Sequence, residues 1–350
     1  MQWDHLRSSA GEDGALFGLD RVGVRTFDTP ELRGMTFYEV RARSAINKVP
    51  AASRMPFGWT INPYRGCSHA CVYCFARNTH TYLDLDAGLD FDRRVVVKVN
   101  TPELVRRELA GRSWRGEPIA MGTNVDCYQR AEGRYQLMPG VLAALRDAAN
   151  PFSILTKGSL ILRDLPLLRQ AAEVTEVSTN VSVGFVDRAL WRQVEPGTPS
   201  PARRLAVCAT LNGAGVCCGV LMAPILPYLT DSPAALEATV RAIAGTGARQ
   251  VSPVVLHLRP GAREWYMAWL ARAYPGLVPA YERLYARGAY APKAYQRQIG
   301  DLVATLAARY GIGRRGMDRP EVDRPERRVA GQAAVPADRD AGVPEQLALL

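Results

Sequence analysis

Three cysteines stand within eight residues, in Asn62-Pro63-Tyr64-Arg65-Gly66-Cys67-Ser68-His69-Ala70-Cys71-Val72-Tyr73-Cys74. Thiolates are the usual ligands of iron–sulfur clusters, and a cubic 4Fe-4S cluster offers four irons to ligate. Three cysteines therefore leave one iron open to a small molecule, and an open iron is a catalytic position. The alternatives are a zinc site or three thiols packed in a core. Structural zinc takes four ligands, commonly as two separated pairs, and this segment has only His69 to offer as a fourth. Arg65, Gly66, Ser68 and His69 are turn-like and polar, which does not suit inert core thiols.

The spacing Cys67-x-x-x-Cys71-x-x-Cys74, with aromatic Tyr73 just before the last cysteine, resembles the signature of the radical S-adenosylmethionine (SAM) superfamily. The resemblance implies a 4Fe-4S cluster on Cys67, Cys71 and Cys74, SAM chelated at the open iron, and Tyr73 near its adenine. It also implies a reaction in which the reduced cluster passes an electron into SAM, methionine leaves, and a 5′-deoxyadenosyl radical takes hydrogen from substrate. An external electron donor of the flavodoxin or ferredoxin type would then be a partner.

The rest of the chain must hold such a site, and its pattern is a repeating one. A strand over 58–62 runs directly into the cysteine loop. Residues 94–99 are β-branched and extended, followed by a helix with Thr101 as N-cap and Pro102 in its first turn. Further strands at 118–121, 152–155, 177–185, 216–222 and 251–256 alternate with helices near 137–149, 165–172, 202–211 and 234–244. Alternation predicts an α/β fold with a parallel sheet and right-handed crossovers. About six units suit an incomplete barrel better than the eight of a closed one, though an open doubly wound sheet fits alternation equally. The resemblance implies the partial (β/α)6 TIM-like barrel of the radical SAM type. The expected layout is an N-terminal extension (1–50) packed on the core barrel (51–257), a C-terminal helical part (258–313) and a disordered tail (314–350).

Catalytic groups of parallel barrels sit at the C-terminal ends of strands. After the second core strand comes Gly122-Thr123-Asn124-Val125-Asp126-Cys127-Tyr128-Gln129, where Gly122 lets backbone approach a ligand. Thr123, Asn124 and Asp126 can bind the ammonium or ribose of SAM. Lys157 follows the third strand and can pair with its carboxylate. Ser178, Thr179, Asn180 and Ser182 make the next strand too polar for one buried on both faces, so it faces the barrel interior or mouth. Lys157 with Ser178 or Ser182 is expected to orient SAM's methionyl end. Residues 67–76, 122–132, 152–168 and 195–201 resemble the spore photoproduct lyase branch, among the actinobacterial proteins labelled DNA repair photolyases, with likeness over about 40–310. Those relatives show Thr-Asp-Pro-Tyr-Gln where this chain has Val125-Asp126-Cys127-Tyr128-Gln129. The lyase uses a cysteine after this strand as hydrogen donor, which makes Cys127 a candidate, although the lyase cysteine aligns near Thr123. An adventitious thiol in place of the proline is the alternative. Cys208, Cys217 and Cys218 read as small hydrophobes. His257 is either an acid/base contact or a structural histidine.

Length fits one large α/β domain with extensions, or two domains. The start, Met1-Gln2-Trp3-Asp4-His5, lacks a charged-then-apolar leader, and no apolar run approaches the roughly 20 residues of a membrane span. Seven cysteines, three of them clustered, do not read as a disulfide framework, so a cytoplasmic location is expected. Net charge is +10, and from 314 onward seven arginines meet seven acids, so the surplus lies in the body. That suits a polyanionic partner such as nucleic acid, or simply an arginine-rich surface. If the substrate is a lesion in duplex DNA, Arg259, Arg263 and Tyr266 are candidates for phosphate and stacking contacts. The aromatics of 264–310 otherwise read as helix packing. The expected function is reductive cleavage of SAM that starts radical chemistry on a large substrate, a DNA lesion among them. The alternatives are a radical SAM modifier of peptide or RNA, and a non-catalytic iron–sulfur or zinc nucleic-acid-binding module. Polar strand ends speak against the module, because simple binding needs no SAM-sized mouth.

Overall fold

Apolar, β-branched segments become strands of two sheets in this computed structural model, which describes residues 22–50, 53 and 55–313. In chain order the strands are β1 (Val22–Arg25), β2 (Thr36–Val40), β3 (Ile46–Lys48), β4 (Trp59–Ile61), β5 (Tyr64–Arg65) and β6 (Arg94–Lys98). There follow β7 (Ile119–Met121), β8 (Phe152–Thr156), β9 (Val177–Ser182), β10 (Cys218–Ile225) and β11 (Val251–Val255). The larger sheet has the order β11-β10-β9-β8-β7-β4-β3. Its strands from β4 to β11 pair in parallel, and β3 joins β4 antiparallel at one edge. Because β11 and β3 do not meet, the barrel is partial, as the six-unit pattern predicts.

Helices Leu137–Asp147, Leu165–Val174, Pro201–Gly213 and Pro233–Ala244 cover the outer face. Ile154, Val181 and Val220 are buried against Leu142, Leu168, Val207 and Val240 from those helices. Each such side chain contributes roughly 1.5–3 kcal/mol of transfer free energy. Alternation leaves Ser178, Asn180 and Ser182 on the other face of β9, toward the barrel interior, which explains that strand's polarity. Two helices begin with the same device: Ser200 and Ser232 accept from the backbone N–H of Arg203 and Ala235, each followed by proline at the first turn. Such a cap is worth about 1 kcal/mol.

The helix Thr101–Leu109 departs from expectation. Its N-cap position is Asn100, and Thr101 instead donates to the Lys98 carbonyl at 2.6 Å. The Asn100 side chain is drawn away because it pairs with both backbone groups of Ala42, at 2.8 and 2.9 Å. This contact belongs to a larger difference. The smaller sheet, β1-β2-β6-β5, joins two strands that precede β4 to two from the connection between β4 and β7, with β2 parallel to β6. Thus, of the segment before residue 50, β2 is built into the smaller sheet and β3 into the larger, so the N-terminal extension packs on the core through both sheets. At the other end, Ile299, Val303 and Leu306 of the helix Lys293–Arg309 join the main core, and Leu258 N–H donates to the Ala289 carbonyl at 2.7 Å. The expected tail, 314–350, and the first 21 residues lie outside the described residues.

Tyr266, expected as a stacking candidate, is fully buried with Tyr281 and Tyr285 in a second apolar cluster. Its hydroxyl pairs with that of Tyr281 at 2.8 Å, and the Tyr281 and Tyr285 hydroxyls donate to the carbonyls of Pro227 and Leu256. Packing and satisfied hydroxyls account for these aromatics, and Tyr266 has no face left for a base.

Candidate active site

After β4 and β5 the chain folds into successive tight turns, with Ala70 N–H donating to Cys67 O, Cys74 N–H to Cys71 O and Arg77 N–H to Cys74 O. A loop this polar holds its shape only if its backbone groups find partners. Four segments supply them. Gln129, fully buried, donates to Gly66 O at 2.9 Å and accepts from Ser68 N–H at 2.8 Å. Arg77, also fully buried, donates to Cys71 O and Gly88 O and pairs with Asp92 at 2.8 Å. Val72 N–H donates to Val194 O, and Gly197 N–H to His69 O. Gly197 packs so closely that a Cβ there would lie 2.1 Å from Ser68 O.

The three thiols face one cavity of about 200 Å³ at the C-terminal ends of the parallel strands. Gly122, Thr123 and Asn124 line it after β7, Thr156 and Lys157 at the end of β8, and Ser182 at the end of β9. Leu221, Ala223 and Pro224 of β10, with Val254 and Leu256, give it an apolar wall. Burial raises the pKa of Cys67, Cys71 and Cys74 from the ordinary thiol value, Cys71 to about 12 even though the Lys157 charge lowers it. Metal or cluster binding must therefore displace protons here.

Several predicted residues meet at this cavity. Lys157 Nζ donates to Ser182 Oγ at 2.7 Å and lies 5.8 Å from the centre of the Tyr73 ring. The Ser182 hydroxyl in turn donates to Ala223 O at 2.9 Å. Tyr73 lines the cavity with its hydroxyl bound to Glu195. Ser178 lies two pleats down β9 from Ser182 and is outside the cavity lining. His257 reaches the rim, its ring between Phe75 and Tyr290; burial and the nearby Arg259 lower its pKa, so it is neutral near pH 7.

Two predicted residues have other partners in the protein. Asp126, expected to reach the ammonium or ribose, lines the cavity while both of its oxygens are engaged by the protein. One accepts from Thr156 Oγ1 and Tyr128 N–H, at 2.6 and 2.9 Å, and the other accepts from Lys157 N–H at 2.6 Å and faces His69 Nδ1 at 3.3 Å. Burial alone would raise its pKa, but His69 and these donors outweigh it and bring the carboxyl to about 2. Asp126 thus pins the cysteine loop to the ends of β7 and β8. Cys127 is fully buried in the main core, outside the cavity lining, and burial raises its thiol pKa well above the usual value. A hydrogen donor must touch the product, and Cys127 does not reach the lining of this cavity.

The site also contains residues that sequence reasoning passed over. Gln129, Arg77, Glu195 and Arg204 act on backbone carbonyls or on partners far along the chain, and no local spacing marks them. Glu195 is fully buried between the Tyr73 hydroxyl and the Arg204 guanidinium. The fourth ligand that zinc would need is already engaged, since His69 Nδ1 faces Asp126 at 3.3 Å. Three thiols on one wall of a cavity with space beside them suit a cluster with an open corner.

A profile of the radical SAM superfamily matches residues 61–239. An uncharacterized protein of Mycobacterium tuberculosis is 52% identical over 302 residues, covering 86% of this chain and 89% of its own. An uncharacterized protein of Methanocaldococcus jannaschii is 29% identical over 196 residues, covering 55% of this chain and 69% of its own. Among solved structures, a spore photoproduct lyase variant with bound AdoMet and dinucleoside spore photoproduct shares the fold, with a TM-score of 0.57 at 16% identity over 79% of each chain. No helix among the described residues is long and apolar enough to cross a membrane. The matched segment runs from β4 through the cysteine loop and most of the parallel sheet, and this chain belongs to the radical SAM superfamily, enzymes that work with a 4Fe-4S cluster and SAM and draw on an electron donor.

Proposed function

We propose that this enzyme reductively cleaves SAM at a 4Fe-4S cluster held by Cys67, Cys71 and Cys74, and turns the chemistry on a large substrate, a DNA lesion of the photoproduct kind. The observation that carries this reading is the shared cavity: three thiols, one ammonium, polar strand ends and an apolar wall within about 200 Å³. The bound cofactors would supply one-electron cleavage of SAM and hydrogen abstraction, which is not chemistry of the side chains. The chain's own part is to place groups and exclude water. Lys157 offers an ammonium to SAM's carboxylate, and a charge-assisted hydrogen bond is strong where water is scarce. Thr123 and Asn124 offer oxygens to its ammonium or ribose. Leu221, Pro224, Val254 and Leu256 give a purine the apolar contact it needs. A flavodoxin- or ferredoxin-type protein would serve as donor.

The nucleic-acid half rests on two supports: the shared fold with a lyase that holds a dinucleoside photoproduct, and a charge of +10 that favours a polyanion. Anaerobic reconstitution with iron and sulfide, then dithionite and SAM, tests the proposal through the deoxyadenosine formed. Wild type should release it, and alanine at Cys67, Cys71 or Cys74 should remove both the visible absorbance of the cluster and the product. A triple variant that keeps a full four-iron complement would sink the ligand assignment. Bound zinc without SAM cleavage in wild type would favour a binding module.

A further inference from the structure

Behind the cavity wall, Glu195 and Arg204 form an ion pair with almost no exposure, 0% and 1%. The pair is costly. Two charges leave water, and that penalty commonly cancels their attraction. Arg204 also stands in the opening turn of the helix Pro201–Gly213, where the helix dipole disfavours a cation. Among the described residues its Nε has no hydrogen-bond partner. Folding stability does not explain such a pair, since apolar residues of similar volume would serve at least as well.

Its connections do explain it. One Glu195 oxygen accepts from the Tyr73 hydroxyl, inside the cysteine motif, and the other binds Arg204 Nη2. The remaining guanidinium nitrogen, Nη1, donates to the Ser182 carbonyl at 2.6 Å, and Ser182 Oγ holds Lys157 Nζ. A single chain of contacts thus runs from the cysteine loop to Lys157, its middle members Glu195 and Arg204 lying outside the cavity lining. The backbone around Glu195 reinforces it, because Val194 and Gly197 bond Val72 and His69 on either side of Cys71.

We propose that Glu195 and Arg204 are a positioning pair that fixes the distance between the cysteine loop and the Lys157–Ser182 cation site, so that SAM can reach both at once. The inference rests on Lys157 holding SAM's carboxylate. It assigns a role to two residues that touch neither cofactor, and it explains why both must be charged: the carboxylate orients a hydroxyl on one side and a guanidinium fork on the other, and the fork reaches two acceptors at once.

The test uses reconstituted full-length protein and two variants, Glu195→Gln/Arg204→Met, which removes the pair without stranding a buried charge, and Tyr73→Phe, which cuts only the link to the loop. Iron content, SAM affinity by equilibrium dialysis of the unreduced protein, and the change SAM causes in the electron paramagnetic resonance signal of the reduced protein are measured. Both variants should keep wild-type iron content, bind SAM about tenfold more weakly, as loss of an outer partner of a bound group commonly does, and show an altered response of the signal to SAM. Full iron with wild-type affinity and an unchanged response overturns the proposal. Loss of iron in both variants overturns it too, because the pair would then merely fold the loop. Wild type that neither binds nor cleaves SAM would instead refute the proposed function.

Discussion

Lys157 is the only lysine or arginine among the described residues that line the cavity. Its side chain has one neutral acceptor, Ser182 Oγ, while Glu195 is already bound to Arg204 and the cavity-lining Asp126 to Thr156, Tyr128 and the Lys157 backbone. The ammonium is thus left without a bonded carboxylate and suits an anion. Lys157→Ala should leave iron content unchanged and weaken SAM binding by about 2 kcal/mol, roughly thirtyfold in Kd, the scale of a lost hydrogen bond to a charged group. Equilibrium dialysis measures it, and unchanged affinity at full iron content would mean that another group holds the carboxylate. The meeting of the cysteines and this lysine at one cavity could be read from the sequence because it follows from residue type and place after a strand. Cys127 and Asp126 could not be placed the same way. At a turn, neighbouring side chains diverge by backbone angles that the sequence does not state, so Cys127 enters the core while Asp126 turns to His69 and Thr156.

The strand-to-loop junction after β7 fixes the cavity's shape. Gly122 has φ +76°, and a Cβ there would lie 1.8 Å from Leu155 O on the neighbouring strand. The backbone of one strand end is thus seated against the next, which leaves space on the cavity side. Gly122→Ala combines a left-handed φ with a backbone clash and should cost at least about 3 kcal/mol. Gly213→Ala, at a helix end with nothing within 4 Å, should change stability by less than about 1 kcal/mol. Chemical denaturation midpoints compare the two, and equal effects would refute the seating argument. Six parallel strands and their helices were legible because period and length mark them. β2 and β3 were not, since each is short, and β2 pairs with β6, distant in sequence, while β3 pairs with β4 across an irregular connection.

Across the whole molecule, the unequal charge is the property that reaches furthest from the surface. With a net +10 and a tail that contributes none of it, the body should attract polyanions through counterion release. Duplex DNA should bind at low salt and lose affinity linearly in log–log form as salt rises, with a slope that counts the phosphates engaged. Fluorescence anisotropy from about 50 to 200 mM salt, the range over which such contacts lose most affinity, measures that slope. Absence of binding at the low end would remove nucleic acid from the proposed function while leaving SAM cleavage untouched. No pattern of apolar residues reports such a partner; only the balance of charge does, and charge alone does not name it.

The clamps on the cysteine loop also set a timetable. A ribosome delivers Cys67, Cys71 and Cys74 first, Gln129 later, and Glu195, Gly197 and Arg204 later still. Until residue 204 is made, the three thiols thus have Arg77 and then Gln129 beside them but lack the last of the groups that give the loop its turns. A cluster carrier that arrives early meets a flexible strand of sulfurs, and one that arrives after release meets a finished seat. The order of the clamps thus favours cluster insertion after translation, into an apoprotein that has already folded.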